Sequence, residues 1–179
     1  MRKILYILFI IGGLIMMSSC SVQNNITYDI KYYGAGGITY SNAFYYKDKS
    51  YEEIVKCSSI AKLIKSQEEL LNLCSTYNSP AFDQNSNKYD YEVNKFLRSF
   101  DKEYFGDKSL IISFGTGRSG GILGEVKNIL IENDCLIVNY SRSDGDATIQ
   151  IVENIPWILI IEIDNKNLEN IEEVKLIKK

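Results

Sequence analysis

The stretch SLIISFGTGRSGGILGEVKNILIENDCLIVNYSR, residues 109–142, decides the fold that we predict for this chain of 179 residues. Ser109–Phe114 is a compact apolar run, and a glycine-rich turn at residues 115–121 follows it. Two further strands are predicted near Gly124–Glu132 and Leu136–Arg142, on the two sides of a turn at Asn133-Asp134. In the second of them Leu, Val and Tyr stand at alternate positions, the period of two typical of a β-strand. We therefore predict a sheet of short strands in this half of the chain.

The strand pattern continues toward the C-terminus. Asp144-Gly145-Asp146 marks a turn, and Thr148–Val152 and Trp157–Ile163 follow as predicted strands. Ile171–Ile177 is predicted to close the sheet.

The residues before this region predict one strand and two helices. Ile60–Ile64 has the composition of a short strand. Ser66 and Glu69 have the spacing of a capping box, so a helix is predicted to begin there and to end near Asn78-Ser79-Pro80. Apolar side chains at helical spacing predict a second helix from about Tyr91 to Phe100.

Two helices followed by a run of hairpins predict an α+β fold. We expect a mainly antiparallel β-sheet or sandwich with two helices in the first half, after a cleaved signal peptide. The predicted boundaries are residues 1–19 for the signal peptide, 20–50 for a spacer and a tyrosine-rich segment, and 51–179 for a single α+β domain. A domain of this size can bury a substantial core.

The N-terminus has the pattern of an export signal. Arg2 and Lys3 precede the almost unbroken apolar run Ile4–Met17, and two serines lead to Cys20. The apolar run is shorter than the about 20 residues that span a bilayer. We expect cleavage before Cys20, with an uncleaved anchor or a plain secreted form as the alternatives.

The run Met17-Ser18-Ser19-Cys20 resembles the lipobox of bacterial lipoproteins, with Met17 where leucine is usual. The resemblance implies a diacylglycerol thioether on Cys20, and stable attachment requires two or more acyl chains. We therefore expect a protein on the extracytoplasmic face of the cell membrane, with the membrane as a partner through lipid on Cys20.

Composition excludes several classes of function. The 20 Lys+Arg against 23 Asp+Glu give a net charge of −3 with no basic stripe, so we expect no nucleic-acid partner. The chain has 0 His, which excludes Ser-His-Asp and Cys-His catalysis and histidine-containing zinc sites. We predict no cofactor, no metal and no catalytic residue, although chemistry based on carboxylate, Lys or Tyr remains open.

The 4 cysteines do not form a closed disulfide framework, because lipidation of Cys20 leaves an odd number. Cys57 and Cys74 can pair only if their geometry allows it. We expect buried free thiols at Cys57, Cys74 and Cys135 instead.

Two loops resemble ligand-binding motifs. Gly115, Gly117 and Gly120 match the dinucleotide fingerprint, but a repeated βαβ pattern is missing and Gly124 disfavours a helix there, so we expect a glycine-rich β-hairpin. Asp144-Gly145-Asp146 supplies too few oxygens for Ca²⁺, and we interpret it as a hairpin turn.

Residues 28–51 are rich in tyrosine, with a break at Gly34-Ala35-Gly36-Gly37. Ile38–Tyr46 has β-type composition. Exposed rings there would stack on sugars or on a peptide, but packing of strand tyrosines on one face is the favoured interpretation.

Four stretches carry a wider resemblance: Ile64–Leu70 (IKSQEEL), Phe105–Ile112 (FGDKSLII), Arg118–Gly121 (RSGG) and Trp157–Glu162 (WILIIE). They resemble the I-x-S-x-x-E-L, F-x-D-K-x-L, S-G-G and W-x-I-x-I-E elements of a poorly characterised family of small lipoproteins and secreted proteins of Gram-positive bacteria. The layout over residues 60–177 is also similar to the PrcB-like domain, named for an accessory lipoprotein of a surface protease complex. That domain has a P-T-G-G-Y turn where this chain has RSGGI, and it provides no catalytic residues to transfer.

A weaker resemblance concerns chagasin-type inhibitors of cysteine proteases. Gly120-Gly121 and Pro156-Trp157 match fragments of their binding loops, but Ile155 stands where those loops have arginine. We interpret Trp157 as a core aromatic residue.

These observations lead to one functional expectation and its alternatives. We expect a membrane-anchored, non-enzymatic module that binds a surface protein or a protease, with Arg118, Ser119, Gly120 and Gly121 as its contact residues. The alternatives are a small binder of cell-wall polysaccharide, a carboxylate-based enzyme and a chagasin-like inhibitor.

Overall fold

A computed structural model describes residues 25–35, 60–117, 123–142, 155–166 and 168–179. The described strands are β1 (Tyr28–Ala35), β2 (Ile60–Ile64), β3 (Lys108–Gly117), β4 (Leu123–Glu132), β5 (Cys135–Arg142), β6 (Ile155–Asp164) and β7 (Glu173–Lys178). The described helices are α1 (Gln67–Tyr77), α2 (Glu92–Arg98) and the short turn α3 (Tyr104–Asp107), with a 3₁₀ turn at Ser79–Ala81.

The strands form two sheets. The four-stranded sheet has the order β1-β6-β3-β2, and all of its pairs are antiparallel. The three-stranded sheet has the order β4-β5-β7, in which β5 and β7 are parallel. The predicted α+β class with mainly antiparallel strands is confirmed.

The described elements form three layers, because the central strand β6 buries both of its faces. Ile158 and Ile160 point toward a cluster that includes the helices, whereas Leu159 and Ile161 point toward the three-stranded sheet. All four side chains are at most 2% exposed. This explains why β6 is a nearly continuous apolar run rather than an alternating one. Trp157 lies in the same inter-sheet cluster, as the predicted core aromatic.

Both predicted helices are present. The Ser66 hydroxyl accepts a hydrogen bond from the Glu69 amide at 3.1 Å, and it caps α1 as the sequence predicts. The Glu69 carboxylate accepts from the Lys65 amide rather than from the amide of the cap residue, so the capping box is shifted by one residue. α1 and α2 bury one face each against the four-stranded sheet.

The turn between β4 and β5 has the expected chemistry. Asn133 and Asp134 have φ angles of 49° and 59°, and they connect the paired residues Glu132 and Cys135. Positive φ at both central positions is the requirement of the two-residue type I′ hairpin, which Asn and Asp tolerate better than most residues.

Two predictions about connections require correction. β3 ends at Gly117 and β4 begins at Leu123, but the two strands belong to different sheets, so the glycine-rich segment links two sheets and is not a β-hairpin. Within the described residues only β4 and β5 form a hairpin between successive strands. The break predicted at Gly34-Ala35-Gly36-Gly37 does not begin at Gly34, because β1 extends through Gly34 and Ala35 and pairs with β6; Gly36 and Gly37 lie outside the described residues.

The strand ends define two ends of the molecule. The hairpin end carries the last residue of β2, the first of β3, the Asn133-Asp134 turn, the last residue of β6 and the first of β7. The loop end carries six strand termini: Ala35, Ile60, Gly117, Leu123, Arg142 and Ile155. The polypeptide links between these six residues all lie outside the described ranges.

Candidate functional site

A group of charged side chains lies at the hairpin end, on the helix side of the four-stranded sheet. We call it the Glu162 cluster, and it consists of Asp29, Lys31, Tyr104, Lys108, Glu162 and Asp164. Glu162 follows Ile158 and Ile160 on the same face of β6, so its carboxylate extends from the end of an apolar row.

Three donors surround the Glu162 carboxylate. Tyr104 Oη donates to Glu162 Oε2 at 2.9 Å, and Lys31 Nζ lies 3.2 Å from the same oxygen. Lys108 Nζ lies 3.4 Å from Oε1. The Glu162 side chain is only 14% exposed, so these contacts replace most of the water that a surface carboxylate would bind.

Each lysine also contacts a second carboxylate. Lys31 Nζ lies 2.9 Å from Asp29 Oδ2, and Lys108 Nζ donates to Asp164 Oδ1 at 2.6 Å. The charges therefore alternate across the group, and the single buried carboxylate lies between two cations. This arrangement connects the edge strand β1, the central strands β3 and β6 and the turn α3.

A β-bulge places Lys31 in this group. The register between β1 and β6 shifts between Ile30 and Tyr32, so Lys31 has no partner in the β6 register. A bulge changes the direction of the side chains around it. Here the Lys31 ammonium lies over the Glu162 carboxylate of the neighbouring strand.

The surroundings favour the charged form of Glu162. Burial alone would raise the pKa of Glu162, but the hydrogen bonds from Tyr104 and Lys31 and the charges of both lysines lower this pKa below its usual value. Burial and the hydrogen bond to Glu162 raise the pKa of Tyr104. Near neutral pH, Glu162 is an anion and Tyr104 keeps its proton, so neither group titrates in the range that general acid–base catalysis requires.

A shallow cleft of about 340 Å³ borders the cluster at Asp164. Its other lining residues are Gly106, Asp107, Asn165 and Lys166. Asn165 fixes the wall, because its Nδ2 donates to the carbonyl of Phe105 at 3.2 Å and its Oδ1 accepts from the Ser109 hydroxyl. The cleft is open to solvent. The side-chain amide of Asn165, which lines it, already has hydrogen-bond partners within the protein.

The described residues contain no group of three or more His, Cys, Asp and Glu side chains that could hold a metal ion. In the same part of the chain, no helix combines the length and the apolar character needed to cross a bilayer.

Most of the predicted site residues lie outside the described ranges. The undescribed site residues are Cys20 and the predicted contact residues Arg118, Ser119, Gly120 and Gly121. The same holds for four other predicted segments: the rest of the signal segment, Ile38–Tyr46, Asp144-Gly145-Asp146 and Thr148–Val152. Cys57 is outside them as well.

The described part of the tyrosine-rich segment packs into the protein. Tyr28 Oη donates to the carbonyl of Val126 at 2.9 Å, and the Tyr32 ring stacks on Phe96 with 5.6 Å between centroids. Tyr33 is 42% exposed. Two of these three tyrosines thus join layers of the fold, as the packing interpretation predicts.

The described cysteines are buried free thiols, as predicted. Cys74 lies on the buried face of α1 in the core, and Cys135 lies on the outer side of the three-stranded sheet beside Leu130 and Ile137. Burial raises the pKa of Cys74 to about 12, which makes this thiol unreactive in the folded protein.

The sequence reasoning did not identify the Glu162 cluster. One signal for it was present, since Glu162 is the single charge within the apolar run Trp157–Ile163. A buried charge requires a partner, and Lys108 provides one from the neighbouring strand. These two residues are the K and the E of two of the motifs that carry the family resemblance.

Comparison of the chain with protein-family models, with curated proteins and with solved structures found no match. The inferences below therefore rest on the geometry and on the sequence.

Proposed function

We propose that this protein is a membrane-anchored extracytoplasmic lipoprotein whose β-rich domain binds another protein at the cell surface. In this proposal the domain is a non-enzymatic interaction or protease-accessory module, and lipid on Cys20 attaches it to the membrane. The observation that carries the proposal is that the strand termini flanking three links lie at the loop end and belong to both sheets.

Three links leave the described structure at the loop end. They span residues 36–59, 118–122 and 143–154, and their flanking residues belong to both sheets. Recognition residues are commonly carried by links that a rigid scaffold holds at one end. The scaffold here is well packed, since the apolar side chains that lie between the two sheets are almost completely buried.

The link between Gly117 and Leu123 contains the proposed contact residues, Arg118, Ser119, Gly120 and Gly121. Arginine is enriched in protein interfaces because its guanidinium group combines several donors with an apolar surface. The link spans only five residues between two sheets, so its length restricts the positions that these side chains reach.

The Glu162 cluster has a structural role. Its carboxylate is kept ionised by three donors, and its tyrosine donates to that carboxylate. The cluster joins four elements of the fold, so its charges have a structural use without any substrate.

Cross-linking on intact cells tests this proposal. A photoreactive residue at Ser119 should form an adduct with a discrete protein, whereas the same group at Glu169 should not, because the exposed Glu169 lies beside Asp134 at the hairpin end. Absence of any protein adduct from Ser119, together with retention of the purified domain on cell-wall polysaccharide, would favour the polysaccharide-binding alternative.

The anchor has a separate test. The native chain should incorporate labelled fatty acid and sediment with membranes, and Cys20→Ser should do neither. A native chain that sediments without incorporating lipid would instead indicate an uncleaved N-terminal anchor.

A further inference from the structure

The chain enters the described structure near the hairpin end. Asn25 forms an isolated antiparallel bridge with Leu130, and the Ile26 amide donates to the Ile129 carbonyl at 2.9 Å. Leu130 is two residues before Glu132, which is the last residue of β4 and precedes the turn. Asn25 is also only five residues after Cys20.

We propose that the mature protein stands with its hairpin end toward the membrane and its loop end away from it. This inference rests on the lipid anchor of the proposed function. It adds the direction of the domain and the position of the partner, which neither the anchor nor the fold specifies alone.

Distances along the chain exclude the opposite orientation. The five steps from Cys20 to Asn25 span at most about 18 Å when fully extended. Along β4, the seven steps from Leu130 to Leu123 at the loop end cover about 23 Å. With Cys20 at the bilayer surface, the spacer is too short to place the loop end on that surface and the hairpin end above it.

The orientation determines the kind of partner. The loop end lies up to about 23 Å beyond the level of Asn25, the length of β4 from Leu130 to Leu123, and it is farther from the bilayer than the hairpin end. It therefore fits a secreted protein, or the extracellular domain of a surface protein, rather than a lipid headgroup.

Energy transfer to the bilayer tests the orientation. The full-length lipidated protein, in vesicles of phosphatidylglycerol that carry acceptor-labelled lipid, receives one donor dye on an unnatural residue at Glu169 or at Lys178. Glu169 lies beside Asp134 at the hairpin end, and Lys178 pairs with Tyr140 toward the loop end. We expect transfer from Glu169 to be several-fold greater than transfer from Lys178.

Two outcomes would overturn the orientation and are distinguishable from a failure of the anchor. Equal transfer from both positions would mean that the domain lies flat, and greater transfer from Lys178 would mean that it is inverted. If the lipidated protein does not sediment with the vesicles any more than Cys20→Ser does, the anchor itself is wrong and the orientation falls with it.

Discussion

The Glu162 carboxylate is the best place to test how this fold is stabilised. Glu162→Gln keeps the size and shape of the side chain but removes its charge. The variant keeps one acceptor oxygen for Tyr104 and Lys31, whereas its amide nitrogen replaces the oxygen that faces the Lys108 ammonium group. The substitution therefore isolates the electrostatic contribution of one partly buried carboxylate.

The expected loss follows from the contacts. A hydrogen bond to a charged group contributes about 1.5–3 kcal/mol, and an exposed ion pair contributes about 0–1 kcal/mol. Lys31 and Lys108 are 32% and 37% exposed and keep Asp29 and Asp164 as partners, so their contacts belong near the lower range. We expect Glu162→Gln to lower the free energy of unfolding by about 2 kcal/mol at neutral pH.

The effect of Glu162→Gln should depend on pH with a definite sign. The pKa of Glu162 is lower in the folded protein than its ordinary value of 4.5, so the unfolded state binds the proton more tightly. Stabilisation by the carboxylate is present above the unfolded pKa and is lost as the pH falls through the folded pKa. The difference between native protein and variant should be constant from about pH 6 to 8 and should shrink below about pH 4.

Urea denaturation at a series of pH values measures both quantities. Glu173→Gln is the matched control, because Glu173 is 69% exposed and forms an ion pair with the exposed Lys175, so it should cost less than about 0.5 kcal/mol. A loss for Glu162→Gln no larger than that of the control would refute the reasoning. A loss that persists unchanged at acid pH would refute the electrostatic origin while leaving a packing effect.

Three further predictions concern single positions. Ser66→Ala should lower the free energy of unfolding by about 1 kcal/mol, and Ser75→Ala on the exposed part of the same helix should not; equal effects would exclude a cap. Asp134→Val should lower the Tm, because Asp134 has a φ of 59° and a β-branched residue adopts positive φ only at a cost, whereas Asp134→Gly should not lower it. Equal Tm values for the two variants would exclude the type I′ turn. Cys74 and Cys135 should resist maleimide at about pH 8 until the protein unfolds, so rapid labelling followed by mass spectrometry would contradict their burial.

Local patterns predicted the secondary structure of the second half because each pattern has a local physical cause. The Ser66 cap depends on residues three positions apart, and the Asn133-Asp134 turn depends on the φ preferences of two residues. The strand Ile155–Asp164 was predicted as Trp157–Ile163 from its apolar run, which burial on both faces explains. Such features need no knowledge of which strand lies beside which.

Sheet membership was not predictable in the same way. The segment from Gly117 to Leu123 has the composition of a hairpin, but β3 pairs with β2 and β6, and β4 pairs with β5. The choice depends on which apolar faces are buried together, and that is a property of the whole chain. β7 provides a second case, since it pairs in parallel with β5 after a connection from the other sheet.

The Glu162 cluster was missed for a related reason. Its members come from β1, α3, β3 and β6, and Asp29 is 135 positions from Asp164 in the sequence. The bulge that brings Lys31 over Glu162 has no signature that we recognised in the sequence. A lone charge in an apolar strand indicates that a partner exists but not where it lies.

The residues that carry the family resemblance are used for the architecture. Ser66 caps α1, Leu70 is fully buried on the inner face of that helix, and Lys108 contacts Glu162 across neighbouring strands. Chains that share these elements would be expected to share this packing whatever they bind, because cap, core and ion pair all act on stability.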